Sequence, residues 1–504
     1  MSGTMSGTGV PTTLLELLHA APDASTAMLD PESGVRLSYA SLRGQVLRMA
    51  EALAGAGIRR GDRVAIALPN GLPAVVSFLA AGIAGTAAPL NPAYRREEFS
   101  FFLDDTAARL LVIPPQGADE ARSAAEGRIP VLAVSLTDGE ARLATTAASA
   151  GFDPPAPEDV ALVLHTSGST GRPKRVPIGH GNLGVSAWNT VNTYGLCPDD
   201  ISLCVMPLFH VHGLVASTLA TLLSGGALVL PSRFQPLAFW RTLRDSRVTW
   251  YSAVPTIHQL AMARAASGRP PGLESLRFIR SCSAPLAAEL ARKMEEIAGV
   301  PVLEAYGMTE ASHQMASNPL PPRARKFGTV GTGTGVRISI MDAAGNHLDA
   351  GGQGEVVIQG PNVVRGYENN PEANSRSFVD GWFRTGDQGI LDQDGYLRLT
   401  GRLKELINRG GEKISPVEID EALLTHPAVA EAVAFGVPHP GWGEEVAAAV
   451  VLREPVPESE ILSHCRNRLA EFKCPKKIHI VDAIPRTATG KIQRRNVAAT
   501  FQGS

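Results

Sequence analysis

The sequence predicts an α/β protein: two α/β sheet subdomains, a smaller β-rich subdomain and a compact C-terminal unit. Three observations lead there. Short apolar strands alternate with helical segments twice over. Glycine-rich turns and alternating strands take over after Gly328. A charged turn at residues 401–405 then precedes a second, smaller α/β pattern. At 504 residues the chain also exceeds what one ordinary core accommodates.

The elements follow in order. Residues 1–11 are rich in Ser, Gly and Thr and offer nothing to bury. Helical periodicity marks residues 14–20 and 41–56. A strand is expected at 63–68, a helix at 74–82, and strands at 87–90, 109–113 and 160–164. The alternation of apolar strands with helices calls for a parallel sheet covered on both faces. It begins again with a strand at 201–206, a helix at 214–223, a strand at 227–230, a helix at 236–245 and a strand at 249–253. A short strand at 301–303 closes this second unit. Strands at 336–341, 354–359 and 396–400 make the β-rich part. The tail reads as strand 406–408, helix 416–426, strands 429–437 and 445–452, helix 458–469 and a loop at 487–491. The charged turn near Arg402 is the expected domain boundary, dividing residues 1–401 from 402–504.

Composition narrows the class. Hydrophobic residues are 44% of the chain, charged residues 19%, and the net charge is −2. Nothing in that balance calls for nucleic acid or an anionic membrane surface. No apolar run reaches membrane-spanning length, since residues 73–90 are broken by glycines and a proline. The five cysteines show no C-x-x-C pairing, which fits reduced thiols in a cytoplasmic protein. The N-terminus does not read as a signal peptide, nor the C-terminus as a peroxisomal address.

The chemistry concentrates in five segments. Thr166, Ser167, Gly168, Ser169 and Thr170, with Lys174 close behind, form a hydroxyl-rich glycine loop at a strand end. Its backbone N–H groups and lysine can meet phosphate, although the spacing is not that of the usual ATPase loop; the plain alternative is a surface turn. Glu304, Ala305, Tyr306, Gly307, Met308, Thr309 and Glu310 follow a strand. An aromatic face there can stack on a purine, a hydroxyl can bond phosphate, and a carboxylate can hold Mg²⁺. Equally, Thr309 and Glu310 can begin a helix. Asp387, in Thr385-Gly386-Asp387, can accept both ribose hydroxyls or simply make an Asx-turn. Arg402 and Lys404 follow Gly401, and Lys491 follows Gly490; lysines on such loops are most often solvated.

Taken together, in this order and spacing, the five segments resemble the acyl-adenylate-forming family of acyl-CoA synthetases, luciferases and adenylation domains. The resemblance covers nearly the whole chain. It implies a large N-terminal AMP-binding domain, a hinge, and a small α+β C-terminal domain that rotates between two half-reactions. It implies ATP, Mg²⁺ and coenzyme A, and a small-molecule carboxylate that becomes an acyl-adenylate and then a thioester. Residue by residue, Thr166–Thr170 and Lys174 resemble the phosphate loop. Thr309 matches the α-phosphate contact and Glu310 the Mg²⁺ ligand. Ser283, Ala284 and Pro285, with Glu304, Ala305 and Tyr306, resemble the adenine slot. Asp387 and Arg402 match the ribose clamp, Lys404 the hinge, Gly411 the border of the pantetheine tunnel and Lys491 the lysine of the adenylation step. His210 resembles a histidine shared widely in the family. One departure is Arg175, where relatives usually carry glycine.

Residues 277–283, 254–259, 310–313 and 405–416 resemble oxalate–CoA ligases, so oxalate is the expected acid. A small dianion wants cations and hydrogen-bond donors at its far end, whereas a long acyl or aryl acid wants an apolar tunnel. His313, Ser281, His258, Arg280 and His212 lie on segments that line the acyl pocket in this family. Ordinary readings stand beside these: Arg280 in an ion pair or facing solvent, His258 as a helix residue. Malonate, medium-chain or aryl acids remain open, as do a carrier-protein acceptor and a non-catalytic binding protein on the same scaffold. The chain is expected to work as a monomer or homodimer.

Overall fold

The computed structural model describes residues 9–166, 173–265, 270–487 and 492–501. The short apolar segments of the first half are strands of one seven-stranded sheet. Its order is Glu140–Leu143, Val131–Thr137, Ala108–Ile113, Arg63–Ile66, Thr86–Pro89, Val160–Thr166, Lys174–Gly179. The inner five run parallel and the two outer strands antiparallel. Helix Leu72–Ala84 is apolar on every side, and almost every one of its residues is buried. It packs on helix Tyr39–Gly55 and on the strands beside it.

The second alternation gives a nine-stranded sheet whose middle is Val302–Met308, Phe278–Ser281, Trp250–Ala253, Ile201–Cys204, Ala227–Val229 and Thr26–Leu29, all parallel. Strand His313–Ser317 adds antiparallel to Val302–Met308. One apolar cluster runs through both sheets, with Leu14, Phe78, Leu162 and Leu214 beside Trp250 and Phe278. Tyr251, Ile279 and Met294 belong to a separate cluster on the other face of the second sheet.

Antiparallel strands Arg337–Met341, Gln353–Gln359, Phe378–Val379, Trp382–Leu391 and Leu397–Arg402 form the β-rich sheet. After the turn at 403–406, a five-stranded sheet begins with the hairpin Ile407–Arg409 and Glu412–Ile414. Helices Pro416–Leu424, Glu458–Arg466 and Arg494–Phe501 pack on it. Its cores, around Ile419 and Val446 and around Phe435 and Val497, are separate from those of the two large sheets.

Several elements differ from expectation, and others, such as helices His180–Tyr194 and Ala288–Ala298, were not expected. Helix 14–20 shortens to Leu14–Leu17. The strand placed at 301–303 runs on to Met308, and a single 3₁₀ turn, Thr309–Ala311, follows it instead of a helix. The helix placed at 214–223 begins as a π-helix at His212–Leu219, a winding that often marks functional positions. The Lys174–Gly179 strand returns antiparallel to Val160–Thr166, with Thr166 opposite Lys174.

Candidate active site

Strand register assembles the residues expected to meet the nucleotide. Ser281 lies opposite Glu304 in parallel strands, so Ser283, Ala284 and Pro285 emerge beside Glu304, Ala305 and Tyr306. Leu286 N donates to Glu304 Oε1 at 3.1 Å. The Tyr306 hydroxyl donates to Asp387 Oδ2, and Arg402 Nε donates to Asp387 Oδ1 at 2.9 Å. Asp387 and Arg402 face each other in antiparallel strands. The buried carboxylate is therefore held from both sides, and it raises the pKa of Arg402.

Glu310 is 5% exposed. Its Oε1 accepts from the Tyr367 hydroxyl at 2.9 Å and from Thr166 Oγ1 at 3.5 Å. Lys174 Nζ sits 4.3 Å over the Tyr367 ring. Burial lowers the Lys174 pKa; Glu310 opposes that shift and Lys404 adds to it. Thr166, Lys174, Glu310 and Tyr367 thus meet in one place, with Lys404 near enough to act on Lys174 and Thr309 just before Glu310 in the 3₁₀ turn. No group of three or more His, Cys, Asp or Glu suited to a metal occurs among the described residues. A lone carboxylate among hydroxyls suits Mg²⁺, which is held through one or two carboxylates plus substrate phosphates.

Arg175 lies inside the strand Lys174–Gly179, in extended backbone, so the position makes no demand for a left-handed φ. Its guanidinium donates to the Asp105 carbonyl and pairs with the carboxylates of Asp105 at 3.3 Å and Glu368 at 3.8 Å. Arg63 pairs with Glu368 at 2.6 Å and His165 Nε2 with Asp105 at 2.9 Å. The charge is absorbed by this network of Asp105, Glu368, Arg63 and His165. Ser167, Gly168, Ser169, Thr170 and Lys491 lie outside the described residues.

On the acid side, His212 opens the π-helix. Its Nδ1 is 3.0 Å from Ser283 Oγ and its Nε2 is 2.6 Å from Ser252 Oγ. His210 Nδ1 accepts from the His212 backbone N–H at 3.2 Å. The His313 ring lies 5.2 Å from that of His212. Three non-glycine residues here hold positive φ: Ser283 at 74°, Ser312 at 53° and His313 at 105°. Such strain concentrates at functional sites. Gly307 permits the His313 geometry, because a Cβ there would lie 2.0 Å from the His313 carbonyl oxygen.

Arg280 is 0% exposed. It donates to Tyr194 Oη at 2.8 Å, Ser252 Oγ at 2.8 Å and Gln314 Oε1 at 2.7 Å. The ion pair expected as its ordinary reading is not found: its bonded partners among the described residues are all neutral.

Ser281 and His258 are not brought into this cluster. Side chains alternate along a strand, so Ser281 shares the face of Ile279, away from Arg280. His258 packs against Tyr251 on that same face, with ring centroids 5.6 Å apart. Burial drives its pKa down to about 3, so it stays neutral.

Gly411 follows Gly410 in the turn of the hairpin, at φ 96°. Arg486 Nη1 lies 3.4 Å from Thr256 Oγ1, linking the C-terminal unit to helix Pro255–Met262.

Residues 18–368 match the family described as AMP-binding enzyme, and residues 418–491 match its C-terminal domain. The chain belongs to this family. It is 48% identical to an oxalate–CoA ligase of Arabidopsis thaliana over 92% of this chain and 93% of that one. It is 42% identical to an oxalate–CoA ligase of Saccharomyces cerevisiae over 95% of each. The structure of ATP-bound MatB from Rhodopseudomonas palustris matches with a TM-score of 0.87 at 32% identity, over 98% and 99% of the two chains. This AMP-binding enzyme is an AMP-forming acid–thiol ligase, with ATP and coenzyme A as co-substrates and Mg²⁺ as cofactor. No helix of the described residues is long and apolar enough to cross a membrane.

Sequence reading missed Tyr367, Ser252, Gln314 and Tyr194, the partners that hold Glu310 and Arg280. Ser252 carried a faint signal as a hydroxyl inside an apolar strand. The others carried none, because only tertiary packing brings them in.

Glu304 yields one prediction. Burial pushes its carboxyl up to about 8, so it stays protonated in the folded protein at pH 7 while the unfolded chain ionises near 4.5. Stability therefore falls as pH rises between about 4.5 and 8, by a few kcal/mol in total. Glu304→Gln is expected to unfold at higher urea than wild type at pH 8, and at equal urea near pH 4.5. Equal offsets at both pH values would contradict a buried neutral carboxyl.

Proposed function

We propose that the acid is oxalate and that the enzyme joins it to coenzyme A through oxalyl-adenylate. A carboxylate is too poor an electrophile for a thiol to attack. Transfer to AMP makes a mixed anhydride with a good leaving group. Negative charge spreads over the α-phosphate in that step, where Lys174, Thr309 and Lys491 would converge on it. Glu310 would hold Mg²⁺, which would supply positive charge to the phosphate. Asp387 and Arg402 hold the ribose, and Tyr306 and the 283–285 segment flank the base. Thiolysis needs different neighbours, which gives the 402–504 domain its reason to turn about Lys404 and bring Gly411 to the pantetheine.

The observation that carries the substrate reading is Arg280, wholly buried behind His212, its bonded partners among the described residues all neutral. An apolar acyl chain would leave this charge uncompensated, at a cost of several kcal/mol. A second carboxylate near Ser283, His212 and His313 offsets it. The two oxalate–CoA ligases at 42% and 48% identity support the same acid.

The test is a panel of acids read by AMP release and thioester formation with free coenzyme A. Oxalate should exceed malonate, hexanoate and coumarate in kcat/KM, by about 10²-fold or more over the monocarboxylates. Turnover of hexanoate or coumarate well above oxalate would refute the assignment.

A further inference from the structure

We propose that Arg280 selects a doubly charged acid without touching it, by fixing the proton order of the chain Ser252–His212–Ser283 so that the acid meets donors rather than lone pairs. The inference rests on the dicarboxylate reading above.

The argument is one of donor accounting. A guanidinium carries five N–H donors and no acceptor. Ser252 Oγ, 2.8 Å from Arg280 Nη1, must therefore accept from it. The same Nη1 lies 3.4 Å from His212 Nε2, which favours a lone pair on that nitrogen. With Nε2 as acceptor, the Ser252 hydroxyl donates to it across 2.6 Å. The His212 proton is then on Nδ1, which donates to Ser283 Oγ across 3.0 Å. Ser283 is left with its own hydroxyl proton to give. Every bond in the chain points from the buried cation towards the pocket, and bonds ordered this way polarise one another.

The surroundings keep the order from reversing. Arg280, Ser252, His212, Tyr194 and Gln314 are all buried at 0% exposure. Tyr194 Oη and Gln314 Oε1 accept from the other guanidinium nitrogens and hold the fork in one orientation. The Tyr194 hydroxyl in turn donates to Ser317 Oγ at 2.8 Å. Ser283, at the end of the chain, is held in left-handed backbone at φ 74°, so its hydroxyl is placed rather than searching. Arg280 is thus a positioning residue: its charge reaches the substrate through three side chains.

A purely structural Arg280 predicts something different from this role. An uncompensated buried charge stabilises little, and an apolar side chain of similar volume is often neutral or better for the fold. Arg280→Met is therefore expected to keep or raise the melting temperature while damaging selectivity. The readout is the ratio of kcat/KM for oxalate to that for glyoxylate, an acid of similar size with one charge fewer. The ratio should fall about 10–100-fold, the worth of a charge-assisted hydrogen bond, mainly through a higher KM for oxalate.

Ser252→Ala breaks the chain with Arg280 still bonded to Tyr194 and Gln314, and should lower the ratio comparably. The double variant should show much less than the product of the two effects. Arg280→Lys keeps the charge and should retain part of the ratio. A ratio unchanged in both Arg280→Met and Ser252→Ala would overturn this role while leaving the dicarboxylate reading in place. A wild-type enzyme that accepts no dicarboxylate would overturn that reading, and this inference with it.

Discussion

Lys491→Ala is expected to slow formation of the acyl-adenylate by about 10²–10³-fold, the cost of removing one donor aimed at developing charge, and to leave thiolysis of preformed acyl-AMP within a few-fold of wild type. The asymmetry is the point. Charge accumulates on the α-phosphate only while pyrophosphate leaves; in the second half-reaction the electrophile is already made and the attacking group is a thiol. On the proposed reading, a lysine on the C-terminal domain would serve the first step and be carried off in the second. Pyrophosphate exchange reports the first half-reaction, and mixing synthetic acyl-AMP with coenzyme A reports the second. Equal loss in both would show that Lys491 supports the fold or a shared ground state, and would remove the argument for two domain positions.

Glu310→Gln is expected to lower adenylation by a similar factor and to move the Mg²⁺ dependence to higher concentration. The substitution keeps the shape of the side chain and an oxygen for the Tyr367 hydroxyl and Thr166, so packing changes little. What is lost is the negative charge that anchors the cation and opposes the lowering of the Lys174 pKa. The Lys174 pKa should then fall further, putting two electrostatic losses into one variant. Adenylation is measured against Mg²⁺ concentration at fixed ATP. A wild-type Mg²⁺ midpoint in the variant would exclude Glu310 as a ligand.

The layered architecture was legible because parallel strands buried on both faces are apolar along their buried length, as in residues 110–113 and 161–164. Failures came where local preference and tertiary context disagree. Gly307 interrupts an otherwise regular strand pattern, and Thr309-Glu310 has the composition of a helix start, so the run to Met308 and the single 3₁₀ turn were hidden. The π-winding at His212 depends on packing between the two sheets. At the site, the residues expected to meet nucleotide stood out because phosphate, ribose and Mg²⁺ each demand particular side chains at strand ends. The acid pocket was readable only as a set of segments. Strand alternation then separated Ser281 and His258 from Arg280, a distinction that one residue of register decides. The neutral partners of Arg280 come from residues 194, 252 and 314, and no spacing announces them.

A structure of the enzyme with AMP and oxalate bound tests the central claim most directly. The far carboxylate is expected within hydrogen-bond distance of Ser283 Oγ and of His212 or His313, on the Arg280 face of the second sheet. A far carboxylate held at Ser281 and His258, or facing solvent with the Arg280 cluster unengaged, would contradict it.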